Sequence, residues 1–152
     1  MGSPGAWWPG PSGICSAGGR ACSASASWRE APPGSGHPIL VRVLRPLRWI
    51  DHPRFDLHTA LRVAFDADEQ GLPRPAVREE LDDLENGLVH ALGQRGMLVA
   101  AETSKGARTL HFYSDSEDQN GRDVFDAAAR GRRSLTARHT LDPGWRKVQD
   151  FA

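Results

Sequence analysis

The chain has 152 residues, of which 39% are hydrophobic and 25% charged, the range of an ordinary single globular domain. Lys plus Arg equals Asp plus Glu at 19 each, so the net charge is zero, which argues against a dedicated polyanion binder, because phosphate contacts supply most nucleic-acid affinity. No apolar run reaches the length of a bilayer span, the N-terminus lacks a secretory pattern, and Ala6 stands where a myristoylation signal wants Ser or Thr.

Met1 to Gly36 is crowded with Gly, Pro, Ser and Ala and has no apolar periodicity. Trp7, Trp8 and Trp28 stand there without aliphatic partners. Such composition buries too little apolar area to offset its ordering entropy, so 1–36 is expected to be a disordered tail. The only cysteines, Cys15 and Cys22, fall in it with no second pair or His to complete a zinc site. They read as reduced thiols, and a reducing cytoplasm is the default expectation.

The composition changes at His37-Pro38, where the domain of residues 37–152 is expected to begin. Ile39 to Leu44 reads as a strand stopped by Pro46. Leu61, Val63 and Phe65 alternate with Ala60, Arg62 and Ala64 as a second strand. Val77, Leu81, Leu84, Leu88 and Leu92 form one stripe at helical spacing, with Pro75 suited to its first turn and Gly93 to its end. Glu85 breaks that apolar neighbourhood and is expected to point to solvent. Met97–Thr103 and Arg108–Ser114 read as a hairpin around Lys105-Gly106. A second helix is expected over Gln119–Arg130, with Val124, Phe125, Ala128 and Ala129 on its apolar side, and a last strand over Ser134–Leu141.

From Ala60 the order is strand, helix, strand, strand, helix, strand. The fold class is therefore α+β, of ferredoxin-like split βαβ type, with an extra N-terminal strand that can extend the sheet edge. Both helices then stack on one sheet face, and the other stays open unless something covers it.

The familiar catalytic and cofactor patterns fail. Ile39 stands where a dinucleotide fingerprint needs its third Gly, and neither a P-loop nor a nucleophile elbow is present. Asp66 to Gly71 opens like a calcium loop, but Val77 holds the twelfth place, where a bidentate Glu belongs, so the stretch reads as an acidic turn. No metal and no cofactor is expected. His111 and His139 are placed on neighbouring strands, where a paired site is conceivable, although a lone strand His is usually only packed or exposed. Arg108 to Tyr113 has aromatics without the Gly-aromatic spacing of RNA-recognition modules.

Gly71-Leu72-Pro73, then Leu81, Leu84-Glu85 and Leu88, then Phe112-Tyr113, then Trp145 and Asp150-Phe151 together resemble the bacterial domain of unknown function family 695 (DUF 695) over about Gly36 to Phe151. That family in turn resembles the ribonuclease E activity regulator B family. Two features depart from the pattern: Val148 stands where an aromatic is usual, and the sequence stops at Ala152. The resemblance implies a cytoplasmic, non-catalytic domain that acts by binding another macromolecule.

The leading expectation is thus a binding or regulatory module for a protein partner, with His111, Tyr113, Arg138 and Trp145 as candidate partner-binding residues. A small enzyme using His111, His139 or Arg138 on the open sheet face is the alternative, and an RNA-binding module the third. Trp145, close behind the turn Asp142-Pro143-Gly144, is expected to pack on the core, with Phe151 docked less securely.

Overall fold

The computed structural model describes residues 23–30, 38–45 and 49–151. Among these, the strands are β1 (Ser23–Glu30), β2 (Pro38–Arg45), β3 (Leu57–Ala64), β4 (Gly96–Ser104), β5 (Ala107–Ser114) and β6 (Leu135–Leu141). Helix α1 spans Pro75–Leu92 and α2 spans Gln119–Arg130. The result is a mixed α+β fold. Strands β2 to β6 form an antiparallel sheet, and β1 adds to its outer side, giving the order β1-β2-β4-β5-β3-β6.

The extra N-terminal strand, β2, lies against β4 with Arg42 opposite Ala101, as an extension of the sheet edge. The expectation of disorder through Gly36 is corrected over Ser23–Glu30, which pairs with β2 along its whole length. Edge pairing through backbone groups asks little of the side chains, so a Ser/Ala-rich stretch can join a preformed strand. The rest of 1–36, with both cysteines, lies outside the described residues.

Both helices pack on one face. Pro75 begins α1, where its missing N–H costs no helical bond. The buried residues of α1 are Leu81, Glu85, Leu88 and Leu92. Leu84 and Val77 are only partly buried against that core, and Glu85 takes the central place expected for Leu84. α2 is capped by Asp118, whose carboxylate accepts the Gly121 N–H at 3.3 Å, and inserts Phe125 against Phe112 with ring centroids 4.9 Å apart.

The β4–β5 hairpin turns on Lys105 (φ 49°) and Gly106 (φ 77°), the two positive φ values that a two-residue turn of matching twist needs. Gly71 closes on this turn. It accepts the Gly106 N–H at 2.9 Å, and a Cβ at Gly71 would lie 2.9 Å from the Lys105 backbone. The acidic stretch before it folds as a turn around Asp68, whose Oδ1 accepts the N–H groups of Gln70 and Leu72. A register shift between Leu98 and Ala100 lets both Val99 and Ala100 serve the second face of the sheet.

That second face is partly covered. After β6, Asp142 turns the chain back, and a short 3-10 helix, Arg146–Phe151, lies across the sheet. Trp145 and Val148 pack there on Val43, Met97, Val99 and Tyr113, joined by Phe55 from the loop before β3. The sheet therefore separates two cores, one under the helices and one under the C-terminal segment.

Candidate partner-binding site

Three groups of polar side chains are built into the sheet. The first sits beneath α1. Arg42 donates to both oxygens of Glu85, at 3.2 and 2.6 Å, and all of it is sealed: Arg42 is 2% exposed and Glu85 0%. Arg108, 1% exposed, donates to Asp82 at 3.0 Å and to Thr103 at 3.1 Å, and lies 4.0 Å from Glu85. Burial, with Arg42 adding to it, lowers the Arg108 guanidinium from its ordinary value against the pull of Glu85 and Asp82. Among the described residues two cations and two carboxylates meet here, and their pairing makes their burial tolerable. The expectation that Glu85 points to solvent is corrected: a helix charge looks inward when the facing strands offer guanidinium groups.

The second group lies on the opposite, outer face. His58 and His111 meet ring to ring, Nε2 to Nδ1, at 2.9 Å, and His111 Nε2 lies 3.1 Å from Glu102. With Glu102 accepting from His111, the neutral pair has His58 donating to His111. Burial pushes His58 down to about 4, helped by His111 and Lys147 and opposed by Asp142. The Tyr113 hydroxyl donates to Asp142 at 2.6 Å, and burial followed by this bond raises Tyr113 well above its ordinary value. Burial alone would raise Asp142, but the Lys147 N–H, the Tyr113 hydroxyl and the Arg146 N–H hold it below the usual carboxylate range. Trp145, 1% exposed, stacks on Tyr113 and donates its indole N–H to the Phe55 carbonyl at 2.8 Å.

The third group is on the helix side. His139 joins Thr59, at 2.9 Å from Nδ1, to Asp126, at 2.9 Å from Nε2. This has the residue types of a nucleophile relay, but the Thr59 side of it is fully buried. The expectation that His111 and His139 lie on neighbouring strands is corrected. β3 stands between their strands, with Ala60 opposite His111 and Thr59 opposite His139, so the two histidines point to opposite faces.

Of the four candidate partner-binding residues, the structure brings His111, Tyr113 and Trp145 together, but it buries all three beneath or within the C-terminal segment. Arg138 alone is exposed. It shares the outer face, opposite Ala60 and one place from Arg62, which is opposite Thr136 and Thr109. Among the described residues neither Arg62 nor Arg138 forms an ion pair. The part of the outer face carried by β3 and β6 thus presents two free cations around the small Ala60, with threonine hydroxyls beside them. Sequence reasoning missed His58 and Arg62. Their signal was there: His58, Ala60 and Arg62 alternate with Thr59, Leu61 and Val63, so they share the face away from the apolar core.

The chain matches a family of unknown function, DUF695, over residues 35–151 and belongs to it. No curated protein matches the chain. Among the described residues no helix is long and apolar enough to cross a membrane, and no group of three or more His, Cys, Asp or Glu side chains is placed to hold a metal ion.

Proposed function

We propose that this domain is a non-catalytic module that holds an acidic segment of a protein partner on the uncovered, cationic part of its outer sheet face, around Arg62 and Arg138. The single observation that carries the reading is that these two exposed guanidinium groups share a face with no carboxylate paired to either, while the chain's other arginines beneath α1 are neutralised. Unpaired arginines over a small residue suit bidentate capture of carboxylates. The strand order, with β5 between β3 and β4 and β6 outside β3, supports a ferredoxin-like reading of Leu57–Leu141 extended by β2 and β1. A regulatory, cytoplasmic role for that binding follows what the likeness of the DUF 695 family to the ribonuclease E activity regulator B family implies.

The catalytic alternative has less support: His58, His111 and Thr59 are buried, and His139 faces away from the arginines. The RNA reading also loses ground, because the rings on β3 and β5, His58, His111 and Tyr113, lie under cover instead of forming a stacking platform. The test is affinity capture with the whole chain and with its Arg62→Glu/Arg138→Glu variant, both treated with nuclease. A protein recovered with the parent and lost with the variant supports the reading. Identical recoveries, or recovery that depends on nucleic acid, refute it.

A further inference from the structure

We infer that the partner segment binds as an added strand on the free edge of β6, and that it alternates acidic with apolar residues. The inference rests on the reading just given and specifies its geometry.

Among the described residues β6 ends the sheet. The Ala64 N–H donates to the Ser134 carbonyl at 2.9 Å, and the Asp142 N–H to the Asp56 carbonyl at 2.7 Å. Both bonds follow the register that sets Ala60 opposite Arg138. Even-numbered residues of β6 therefore turn their backbone groups toward β3, and odd-numbered ones turn theirs outward. The Leu135 N–H is spent on the Arg132 carbonyl. The N–H groups of Ala137, His139 and Leu141, with the carbonyls between them, form an unpaired row of the kind that an extended peptide completes.

The two sides of that row differ. On the outer face, a neighbouring strand runs beside Thr136, Arg138 and Thr140, with Arg62 one strand further in. On the helix side it runs beside Ala137, His139 and Leu141, and Leu141 is 67% exposed, the most exposed large apolar residue described. Successive side chains of an added strand point to opposite faces. Its outer-facing residues would meet Thr136, Arg138 and Thr140, one guanidinium flanked by two hydroxyls, and the residues between would meet Ala137, His139 and Leu141. A segment alternating Glu or Asp with Val, Ile or Leu matches both sides at once. A charged residue on an edge strand can also serve only to repel other edges, and the experiment separates that role from recognition.

The probe is a synthetic peptide of five Glu-Val repeats, with five Lys-Val repeats as control, added to the whole chain. Expected are slowed amide hydrogen exchange at Ala137 and His139 with Glu-Val alone, and at least about tenfold weaker binding to Arg138→Glu and to Ala137→Pro. Proline at 137 removes an outward N–H and keeps the bonds to β3, and the exchange measurement on the unaltered chain needs no variant at all. Equal binding of Lys-Val, protection elsewhere than β6, or none at millimolar peptide overturns the inference. Protection that grows with protein concentration without peptide also overturns it, since the edge would then pair with a second copy. If the captured partner is lost with Arg62→Glu/Arg138→Glu but kept with Ala137→Pro, binding to the face stands and strand addition falls. If both variants keep it, the underlying reading falls as well.

Discussion

The two faces of the sheet solve the same problem with different chemistry. Under the helices, the core is aliphatic and aromatic, and its polar content is the charged group Arg42, Glu85, Arg108 and Asp82 together with the Thr59–His139–Asp126 chain. Under the C-terminal segment, the core is built on rings, and its polar content is uncharged or singly charged: a histidine pair, a tyrosine and one carboxylate, Asp142. The helix face is closed by two long elements with many attachments. The outer face is closed by a short segment held mainly by Trp145, with Val148 and Asp142 beside it, and it leaves Arg62 and Arg138 exposed. The exposed cations are found where the cover ends.

Removing the pin should have the largest effect. Trp145→Ala empties a site lined by Tyr113, Val148 and Met97 and leaves the Phe55 carbonyl without its donor. A loss of about 4–5 kcal/mol is expected, the upper part of the range for a buried Trp. Urea unfolding checks it. A loss below about 2 kcal/mol would mean that the cover is dispensable and that the comparison of two cores fails.

Glu85→Ala should follow at about 3–5 kcal/mol, because it removes the fully buried carboxylate that faces both Arg42 and Arg108. The double variant Arg42→Met/Glu85→Leu should regain most of that loss, since a buried ion pair often exchanges evenly for apolar contacts. A double variant as unstable as the single one would assign the cost to packing and not to charge.

The outer face should instead be betrayed by pH. His58 has a folded pKa of about 4 against 6.5 when unfolded. Both states are neutral above 6.5, so its contribution is complete there. As pH falls from 6.5 toward 4 the unfolded state takes up a proton that the folded state refuses, and stability falls by about 3 kcal/mol in total. Below 4 this loss stops growing, and Asp142, whose pKa is depressed, then adds acid sensitivity of its own as it protonates. His58→Phe should flatten the slope between pH 6.5 and 4, as read from urea midpoints, whereas Glu85 substitutions should leave that slope intact.

Local signals in the sequence located most elements, and pairing decided the rest. α2 runs over Gln119–Arg130 as expected, because its apolar side, its acidic cap and the glycine behind it are all local. The Lys105-Gly106 hairpin and the docking of Trp145 were legible for the same reason. Glu85 was misread because its partner, Arg42, is 43 positions away and only the sheet brings them together. His111 and His139 could not be assigned to faces until β3 was known to lie between their strands. β1 alternates Ser23, Ser25 and Ser27 with Ala24, Ala26 and Trp28, but residues this small do not stand out from the Gly/Ser/Ala-rich stretch around them, so its pairing with β2 was not read. Arg138 was singled out but Arg62 was not, and it is the shared face that gives either of them meaning.

The smallest effect expected is at Phe151, and it tests how far the cover extends. Phe151 is half-buried, packs on the edge of the outer core, and meets His111 with ring centroids 5.5 Å apart. Unlike Trp145, its side chain makes no hydrogen bond among the described residues, and the tight stacking on Tyr113 belongs to Trp145 alone. Its truncation should therefore cost only the apolar area it shields and one ring contact, about 1 kcal/mol, well below the cost at Trp145. The same change should uncover the His111 ring while Tyr113, held by Asp142 and Trp145, stays sealed. Hydrogen–deuterium exchange at the His111 ring carbon, read by NMR, should accelerate in Phe151→Ala and not at His58, which lies deeper beneath the segment. If both rings accelerate together, the segment opens as one unit, and the division into a firm centre at Trp145 and a looser end at Phe151 is wrong.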